Sequence, residues 1–341
     1  MGTFDKKYII YQASRDDIDE IMLFIRDEWK KNHILSRDRD IFEHEFLNED
    51  NSLNMIVARR REGNTIEGIM GYIFSSNTVD KRDIWGSMWK VRGGNEGLLG
   101  LELFKKIEKV SGCRYHLGVG ANPQTAVPMV RMFLKRNVGK MEHYYRLNKE
   151  LAGRFNLAVA NNFVVSEYDA CETIDFERLV NLEDVSEQFW NVIVEDRIPY
   201  KDSWYVTNRY INHPVYKYNL YTLSENGEVK GVIVLRVQEH NGSRAIRVID
   251  YIGDMAYIRY TGMLWDSIMR EYTAEYVDMY VLGVDDTLLK YAGFEKLCET
   301  EDVVIPNYFY PYEQKNVDIW VYNSFPEALF FKGDGDQDRA N

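Results

Sequence analysis

The sequence predicts an α/β protein of two related domains, each with a mixed, mostly antiparallel sheet flanked by helices. Patterns typical of strands and of helices alternate along the whole chain. The later part of the element order in the first half recurs in the second half, although residue identity between the halves is low. With 341 residues, the chain is long for one compact domain. We therefore expect two domains, at residues 1–150 and 151–341.

The first half predicts a strand, two helices, three strands, and then a helix, a strand, a helix and a strand. The first helix follows Ser14, which can cap it, and its apolar residues recur at helical spacing from Ile18 to Trp29. A hairpin is expected around residues 62–64. A parallel strand pair is expected where a helix crosses over, at residues 98–110. The strands are expected at 8–12, 54–60, 66–75, 84–91, 114–120 and 140–148, and the other helices at 38–47 and 124–136.

The second half predicts a similar order of elements. A hairpin is expected across residues 225–227, and Gly293 suits the position just after a helix end. No proline- or glycine-rich linker marks the junction, which we expect within 149–165, so the domains are expected to pack closely with a cleft between them. The strands are expected at 218–223, 229–238, 243–252, 276–281 and 317–322, and the helices at 261–272 and 285–292.

The overall charge and the cysteines restrict the function and the compartment. The formal charge of −12 argues against nucleic acid and anionic membranes as partners. The three cysteines, Cys113, Cys171 and Cys298, are far apart and form no CxxC pair, which is typical of reduced thiols. The start has no signal-peptide pattern, and no run of about 18 apolar residues predicts a transmembrane helix. We therefore expect a cytoplasmic protein.

The strongest functional pattern is a glycine-rich turn between a predicted strand and a predicted helix. Four glycines lie from Gly93 to Gly100, after the strand at 84–91. Glycine lets the backbone approach a ligand closely, and a helix N-terminus offers unpaired N–H groups that suit a pyrophosphate. The turn is neither a P-loop, because no Gly-Lys-Ser/Thr follows, nor the GxGxxG of a dinucleotide-binding fold. Taken alone, it is equally well explained as a flexible loop that begins a helix.

Together with the strand at 116–120 and Asn122-Pro123, the turn from Arg92 to Gly100 resembles that of the GNAT superfamily of acyl-CoA N-acyltransferases. The resemblance covers most of residues 8–148. It implies two GNAT-like domains, the second degenerate, and acyl-CoA as the co-substrate, with its pyrophosphate in the turn and its pantetheine arm between two splayed parallel strands. A backbone N–H within 89–91 is expected to polarise the thioester carbonyl. The coenzyme contacts implied by the resemblance are Trp89, Val91, Arg92, Gly94, Asn95, Gly97, Leu98, Leu99, Gly100 and Asn122.

One position departs from the family's pattern. Members often carry a tyrosine on the helix after Asn122 as the proton donor to the leaving thiolate, and here Phe133 stands at the corresponding position. Tyr144 or Tyr145 is a candidate replacement, and solvent is another. His116 lies on the strand beside the expected thioester and is a candidate base; the alternative is a core histidine that bonds to the backbone.

Three segments of the second half are similar to nucleotide-linked aminosugar N-acyltransferases encoded in O-antigen and related lipopolysaccharide biosynthesis clusters. They lie at 209–214, 305–309 and 332–339. The resemblance implies a dTDP-linked amino-dideoxyhexose as the acceptor, and an acetyl or short hydroxyacyl group such as 3-hydroxybutanoyl as the group transferred. The substrate contacts that it implies are Arg209, His213, Asn307, Tyr308, Lys332 and Arg339. For the last two, the alternative is pairing with acidic side chains of the protein.

No metal is expected, since HExxH is absent and the spacing Asp334-x-Asp336-x-Asp338 lacks the glutamate of a calcium loop. We expect direct transfer with no acyl-enzyme. A homodimer is favoured only because two-fold dimers are common among soluble enzymes. One rival function is a tRNA-dependent aminoacyl transferase with tandem GNAT domains, which the acidic charge disfavours. The other is a non-catalytic GNAT-like binding module, for which Phe133 is the sequence hint.

Overall fold

The computed structural model describes residues 6–93, 98–161, 165–194, 196–298 and 303–339. Two large sheets, of seven and eight strands, form the architecture, and helices pack on them. The helices are α1 (Ile18–Glu28), α2 (Arg39–Phe46), α3 (Leu99–Ser111), α4 (Ala126–Met132), α5 (Ser203–Val206), α6 (Gly262–Tyr272) and α7 (Asp286–Tyr291). The strands of the first half are β1 (Tyr8–Ser14), β2 (Ser52–Arg60), β3 (Ile66–Phe74), β4 (Ile84–Val91), β5 (His116–Val119), β6 (Asn137–Lys140) and β7 (Glu142–Leu147). The later strands are β8 (Val159–Ala160), β9 (Ile174–Leu179), β10 (Asn219–Glu225), β11 (Glu228–His240), β12 (Ser243–Gly253), β13 (Ala274–Leu282), β14 (Glu295–Lys296), β15 (Val303–Val304), β16 (Tyr308–Phe309), β17 (Tyr312–Glu313), β18 (Trp320–Asn323) and β19 (Phe330–Phe331).

The first sheet has the strand order β1-β2-β3-β4-β5-β18-β6. Strands β4 and β5 run parallel, with α3 as the crossover, and the other neighbours are antiparallel. Successive residues of β2 point to opposite faces, as a pleated strand requires. Ile56 packs in the cluster with α3 and α4, whereas Met55 and Val57 pack in the cluster with α1 and α2. Both faces of this sheet are therefore covered by helices.

The second sheet has the order β14-β7-β13-β12-β11-β10-β9, with β19 beside β13. Strands β12 and β13 are parallel, and α6 connects them. The apolar residues of α6, including Leu264, Trp265 and Ile268, pack against the buried side chains of the sheet. The opposite face contributes Val232 and Ile249 to a core that also contains Trp85 and Leu117 of the first sheet. The two sheets therefore share one apolar core.

The two sheets exchange strands, which the sequence did not predict. The strand expected at 140–148 forms as β7, but it lies between β13 and β14 of the second sheet instead of closing the first. The strand expected at 317–322 forms as β18 and lies between β5 and β6 of the first sheet. Five consecutive residues of β7, from His143 to Leu147, are buried, so this strand needs partners on both edges and cover on both faces. The domain ranges 1–150 and 151–341 stay a prediction. Each of the two sheets contains strands from both ranges.

Several local expectations are confirmed, and one helix is shorter than expected. The hairpin across 225–227 joins β10 to β11, and the helix expected at 38–47 forms as α2. Asp38 caps it by accepting a hydrogen bond from the Ile41 N–H at 3.1 Å. The helix expected at 124–136 is shorter, because α4 ends at Met132 and Lys135 adopts a left-handed backbone with φ of 53°. Residues 186–211, for which no element was expected, contain α5 and two π-helical turns.

Within the described ranges, the helices are all too short or too polar to cross a membrane. Cys113, Cys171 and Cys298 are free thiols, the first two partly buried and the third exposed.

Candidate functional site

An opening lies between β4 and β5, where their pairing stops. The parallel pairing covers three residue pairs and ends at Gly86 and Gly118. Strand β5 ends one residue later, at Val119, whereas β4 continues to Val91. The two strands therefore diverge, and the last residues of β4 keep β3 as their neighbour on one edge only.

A β-bulge lies in β4 beside this opening. The register against β3 shifts between Ser87 and Lys90, and Met88 within the shift has a φ of 50°. A positive φ is rare for a residue with a side chain, and a bulge leaves main-chain groups outside the ladder. The opening is thus edged by backbone groups that are turned away from β3. The bulge adjoins residues 89–91, where a backbone N–H was expected to polarise the thioester carbonyl.

Helix α3 begins close to the end of β4. Leu98, at its N-cap, is about half exposed, whereas Leu99 is buried. A Cβ on Gly100 would lie 3.2 Å from the indole nitrogen of Trp89, so glycine lets this ring pack on the first helical turn. The helix has 13 residues and presents free N–H groups at its N-terminus. The predicted contacts Gly94, Asn95 and Gly97 lie outside the described residues.

The other predicted coenzyme contacts have structural partners of their own. The Arg92 guanidinium forms an ion pair with Glu28 of α1 and donates to the Ile66 carbonyl at 3.2 Å. Val91 packs in the cluster formed with α3. The side-chain oxygen of Asn122 accepts hydrogen bonds from the N–H groups of residues 124 and 125, at 2.8 and 3.2 Å, and so holds the turn before α4.

His116 is a buried histidine on the α3 side of the first sheet. Its ring stacks on Phe104 with centroids 4.1 Å apart, and its Nδ1 lies 3.2 Å from Glu108. Its Nε2 lies 3.4 Å from the Tyr322 hydroxyl. Burial lowers the pKa of His116, and the nearby Glu108 carboxylate acts in the opposite direction. Glu108 in turn accepts from Arg136 and is partly exposed, so a polar chain leads from Tyr322 to the surface.

Tyr322 is the residue at this site that the sequence reasoning missed. It lies on β18, and its ring crosses Gly118, where an added Cβ would clash with it. Its hydroxyl lies over Gly86, the last residue of β4 that pairs with β5. The hydroxyl is therefore at the base of the opening. The available signal was the pair of strand glycines, since glycine inside a buried strand often marks a close approach.

The two tyrosines proposed as proton donors lie elsewhere. Tyr144 and Tyr145 are on β7, in the second sheet. The Tyr144 hydroxyl donates to Asp286, and burial together with this hydrogen bond raises its pKa. Tyr145 packs in a separate apolar cluster that contains Ile305. Phe133, at the end of α4, is 60% exposed. The structure thus brings none of these three side chains to the base of the opening, where Tyr322 lies.

A pocket of about 50 Å³ lies against the second sheet and joins four of the six predicted substrate residues. Cationic and aromatic side chains dominate its lining. Two arginines from neighbouring strands, Arg236 and Arg247, complete its cationic side. The predicted residues that line it are Asn307, Tyr308, Lys332 and Arg339.

The segment 330–339 connects this pocket to the opening. It starts with β19 beside β13, and the Gln337 side chain then donates to the Val119 carbonyl at 3.4 Å. At its far end, Arg339 donates to the Ser87 hydroxyl at 2.8 Å, beside the bulge. The same hydroxyl donates to Asp336 at 3.0 Å. One short segment therefore contacts the pocket and both diverging strands.

Arg209 and His213, the other two predicted substrate residues, are not among the residues that line the pocket. Arg209 is buried and donates to the Gly335 carbonyl at 2.8 Å, which holds segment 330–339 in position. His213 accepts from the N–H groups of residues 215 and 216, at 3.2 and 2.9 Å. Burial, and then the charge of Arg209, lowers the pKa of His213 to about 4. This histidine is therefore neutral at physiological pH.

The comparisons with known proteins agree with this geometry at the level of the fold. No protein-family model and no curated protein matches the sequence. A GCN5-related N-acetyltransferase from Anabaena variabilis superposes with a TM-score of 0.54 at 12% identity, over 93% of this chain and 72% of that one. A conserved protein of unknown function from Enterococcus faecalis, described as a probable N-acyltransferase, gives 0.54 at 9% identity, over 94% and 73%. The chain thus has an α/β fold of two GNAT-like sheets flanked by helices.

Proposed function

We propose that this protein is an N-acyltransferase that moves an acyl group from acyl-CoA to an amine. The observation that carries the proposal is the opening between β4 and β5, with a bulge at Met88 and the N-terminus of α3 nearby. An extended pantetheine arm can lie along the unpaired edge of β4, while the phosphates meet the N–H groups of the helix. The GNAT-like fold of the chain supports this assignment.

The proposed reaction is direct attack on the thioester. The amine nitrogen forms a bond to the carbonyl carbon, the carbon–sulfur bond breaks, and CoA leaves as a thiolate. Backbone N–H groups at the bulge stabilise the negative charge on the carbonyl oxygen. The surplus proton of the amine passes to Asp336, a carboxylate 3.0 Å from the Ser87 hydroxyl at the opening. Holding both substrates in one orientation supplies much of the rate.

The thiolate needs a proton, and Tyr322 is the proposed donor. Its hydroxyl lies at the base of the opening, over Gly86. His116 and Glu108 continue the chain toward solvent, so the tyrosine can be reprotonated after each turnover. Burial raises the pKa of Tyr322, so the hydroxyl is protonated before the reaction begins.

The proposed acceptor is a nucleotide-linked aminosugar, such as a dTDP-linked amino-dideoxyhexose for O-antigen synthesis, with acetyl or 3-hydroxybutanoyl as the acyl group. The sequence resemblance of residues 209–214, 305–309 and 332–339 motivates this choice. The pocket supports it, because cations suit a diphosphate and the rings of Tyr308 and Tyr310 suit stacking on a base or sugar.

The test is release of free thiol. Acetyl-CoA and 3-hydroxybutanoyl-CoA are incubated with the protein and a panel of dTDP- and UDP-linked aminosugars, and thiol formation is followed with a chromogenic reagent. We expect turnover with one of the dTDP-linked sugars. Turnover that needs aminoacyl-tRNA and is abolished by RNase supports the tandem transferase instead, and no turnover with any acceptor contradicts the proposal.

A pair of variants tests the coenzyme site separately. Leu98→Glu places a negative charge at the N-terminus of α3, which suits the helix but repels a pyrophosphate. We expect calorimetry to show CoA binding weakened roughly tenfold, since two charges near a protein surface interact by about 1–4 kcal/mol. Leu98→Gln has nearly the same shape without the charge and should bind CoA like the wild type. Equal affinity in the two variants removes this helix end from the proposal.

A further inference from the structure

Lys332 is a buried amine that faces the pocket. Only 3% of the residue is exposed. Its Nζ donates to the Gln337 carbonyl at 3.2 Å and lies 5.6 Å from the centre of the Tyr280 ring. Within the described part of the chain, its ammonium forms no ion pair with a carboxylate. Burying an ammonium group without a counter-charge is costly, so this arrangement needs an explanation.

The other cations of the pocket each have a carboxylate partner. Arg236 pairs with Asp338 through two hydrogen bonds of 3.1 and 2.5 Å. Arg247 pairs with a second aspartate, Asp278, through two hydrogen bonds of 3.0 and 2.7 Å. Arg339, the third arginine of the lining, pairs with Glu45 of α2 at 2.6 Å. Among the described residues, Lys332 therefore differs from these arginines in having no carboxylate within ion-pair distance, and the pocket beside it is where an anion can enter.

We propose that the pocket binds the phosphoryl group of a ligand through Lys332, and that Lys332 takes up a proton from solvent as the phosphoryl group binds. The inference rests on the proposed function for the identity of the ligand, since it assigns the acceptor's diphosphate to this pocket. The anion supplies the counter-charge that the protein does not provide. Protonated lysine is a strong donor to phosphate oxygens.

The electrostatic surroundings agree with this geometry. Burial, followed by the charge of Arg247, lowers the pKa of Lys332 to about 7, although Asp338 and Asp278 act in the opposite direction and Arg236 lowers it slightly further. In the empty pocket the amine is thus partly neutral near pH 7. A bound anion stabilises the charged form, so it raises the pKa, and by linkage the anion binds more tightly when the amine is already protonated.

The other titratable groups around Lys332 keep their charge near neutral pH. The pKa values of Asp338 and Asp278 are lowered despite their burial, because arginines pair with them, so they stay ionised. Burial raises the pKa of Tyr280, which stays neutral. Burial lowers the pKa of His143, which stacks on Tyr280 and hydrogen-bonds to Asp278 at 2.8 Å, so it also stays neutral. Compared with these four neighbours, Lys332 is therefore the group that changes its charge as the pH rises above 7.

The experiment is calorimetry of inorganic pyrophosphate with the full chain, in the absence of acyl-CoA. Titrations between pH 6.5 and 9 are done in two buffers of different ionisation enthalpy. Free pyrophosphate itself titrates in this pH range, so the proton uptake of Lys332 is counted as the excess over Lys332→Arg, whose side chain stays charged. We expect this excess to reach up to one proton per site above pH 7. Relative to Lys332→Arg, we expect the Kd to rise by up to tenfold per pH unit, from pH 7 until the pKa of the bound form is reached. Binding without this excess, or no binding by the wild type, overturns the inference.

Three variants connect the proton to Lys332. Lys332→Met should weaken pyrophosphate binding at least tenfold and abolish the excess proton uptake, whereas Lys332→Arg should bind with only the pH dependence of pyrophosphate itself, because arginine stays charged. Lys217→Met removes an exposed lysine from a nearby segment and should behave like the wild type. Circular dichroism checks that each variant is folded. Excess proton uptake that persists in folded Lys332→Met overturns the assignment.

Two further outcomes separate this inference from the proposed function and from other anions. Thiol release with an acceptor but no pyrophosphate binding overturns the anion site alone. Pyrophosphate binding with proton uptake, but no acyl transfer to any amine, overturns the proposed function and leaves the anion site in place. Tighter binding of malonate, a dianion with carboxylates, overturns the choice of a phosphoryl group.

Discussion

Tyr322 shows how much a single side chain can depend on its neighbours. Its hydroxyl reaches the base of the opening because Gly86 and Gly118 have no side chains, and His116 lies 3.4 Å from it. Fully buried tyrosine hydroxyls usually find such a partner. Here the partner leads on to the partly exposed Glu108, which gives a buried hydroxyl access to protons from solvent.

Replacing Tyr322 with phenylalanine tests this role. Tyr322→Phe should lower kcat roughly 100-fold, the lower end of what a general acid contributes. The Kd for CoA should stay unchanged, because the hydroxyl acts on the leaving thiolate. Tyr72→Phe, a buried tyrosine of the same apolar cluster, is the control and should keep its kcat. An unchanged kcat in Tyr322→Phe, or an equal loss in both variants, contradicts the assignment of the proton donor.

At the same scale, the sequence resemblance selected four residues that lie around one pocket, whereas it did not point to Tyr322. Asn307, Tyr308, Lys332 and Arg339 were chosen from three short segments and do line one pocket. The proposed proton donor could not be found in this way, because Tyr322 belongs to a strand whose partners lie about 200 residues away in the chain, as the hydrogen bond to His116 illustrates. Local patterns carry no information about such pairing.

At the scale of elements, the pairing of β18 with β5 depends on one glycine, Gly118, over which the Tyr322 ring lies. A Cβ at Gly118 would overlap the Tyr322 ring, and the ring is held by Phe104 and His116 around it. The same ring also covers Gly86 of β4. The packing between β4, β5 and β18 therefore depends on the contact of one tyrosine ring with two glycines.

Gly118→Ala should accordingly destabilise the protein. We expect the free energy of unfolding to fall by on the order of 1–3 kcal/mol, the usual cost of overpacking a core. Urea denaturation followed by circular dichroism measures this. Gly93→Ala is the control, since an added Cβ there meets nothing within 4 Å. Equal unfolding free energies for the two variants would show that Tyr322 can move aside freely.

Helices and hairpins could be predicted from the sequence, and the partners of strands could not. Helix α2 lies within the predicted range 38–47, and the β10–β11 hairpin forms at its predicted turn residues. Strands β7 and β18 were predicted as strands, but each lies in the other sheet. Amphipathic periods and caps act over a few residues, whereas strand partners are selected by burial in the complete fold.

At the scale of the whole molecule, the exchange of β7 and β18 makes each sheet depend on both halves of the chain. Without residues after 150, β5 and β6 lose the strand that joins them. Without the first half, β13 loses β7, with which it pairs over six residues. We therefore expect the two halves to unfold together.

Calorimetry and fragments test this expectation. The full chain should unfold in one cooperative transition, and a fragment of residues 1–150 should show no cooperative unfolding of its own. Co-expression with residues 151–341 should restore a folded complex, because the missing strands are then present. Two separate transitions in the full chain, or a folded 1–150 fragment, would mean that the exchanged strands add little stability.

The same exchange also limits how the molecule can admit its ligands. Two domains joined by a single linker can move apart by a hinge motion. Here a hinge motion between the two halves of the chain would break the main-chain hydrogen bonds of β7 with β13 and β14, or those of β18 with β5 and β6. Main-chain hydrogen bonds thus connect the two halves of the chain within each sheet. Ligands must therefore enter past loops and side chains, while the two sheets keep a fixed distance from one another.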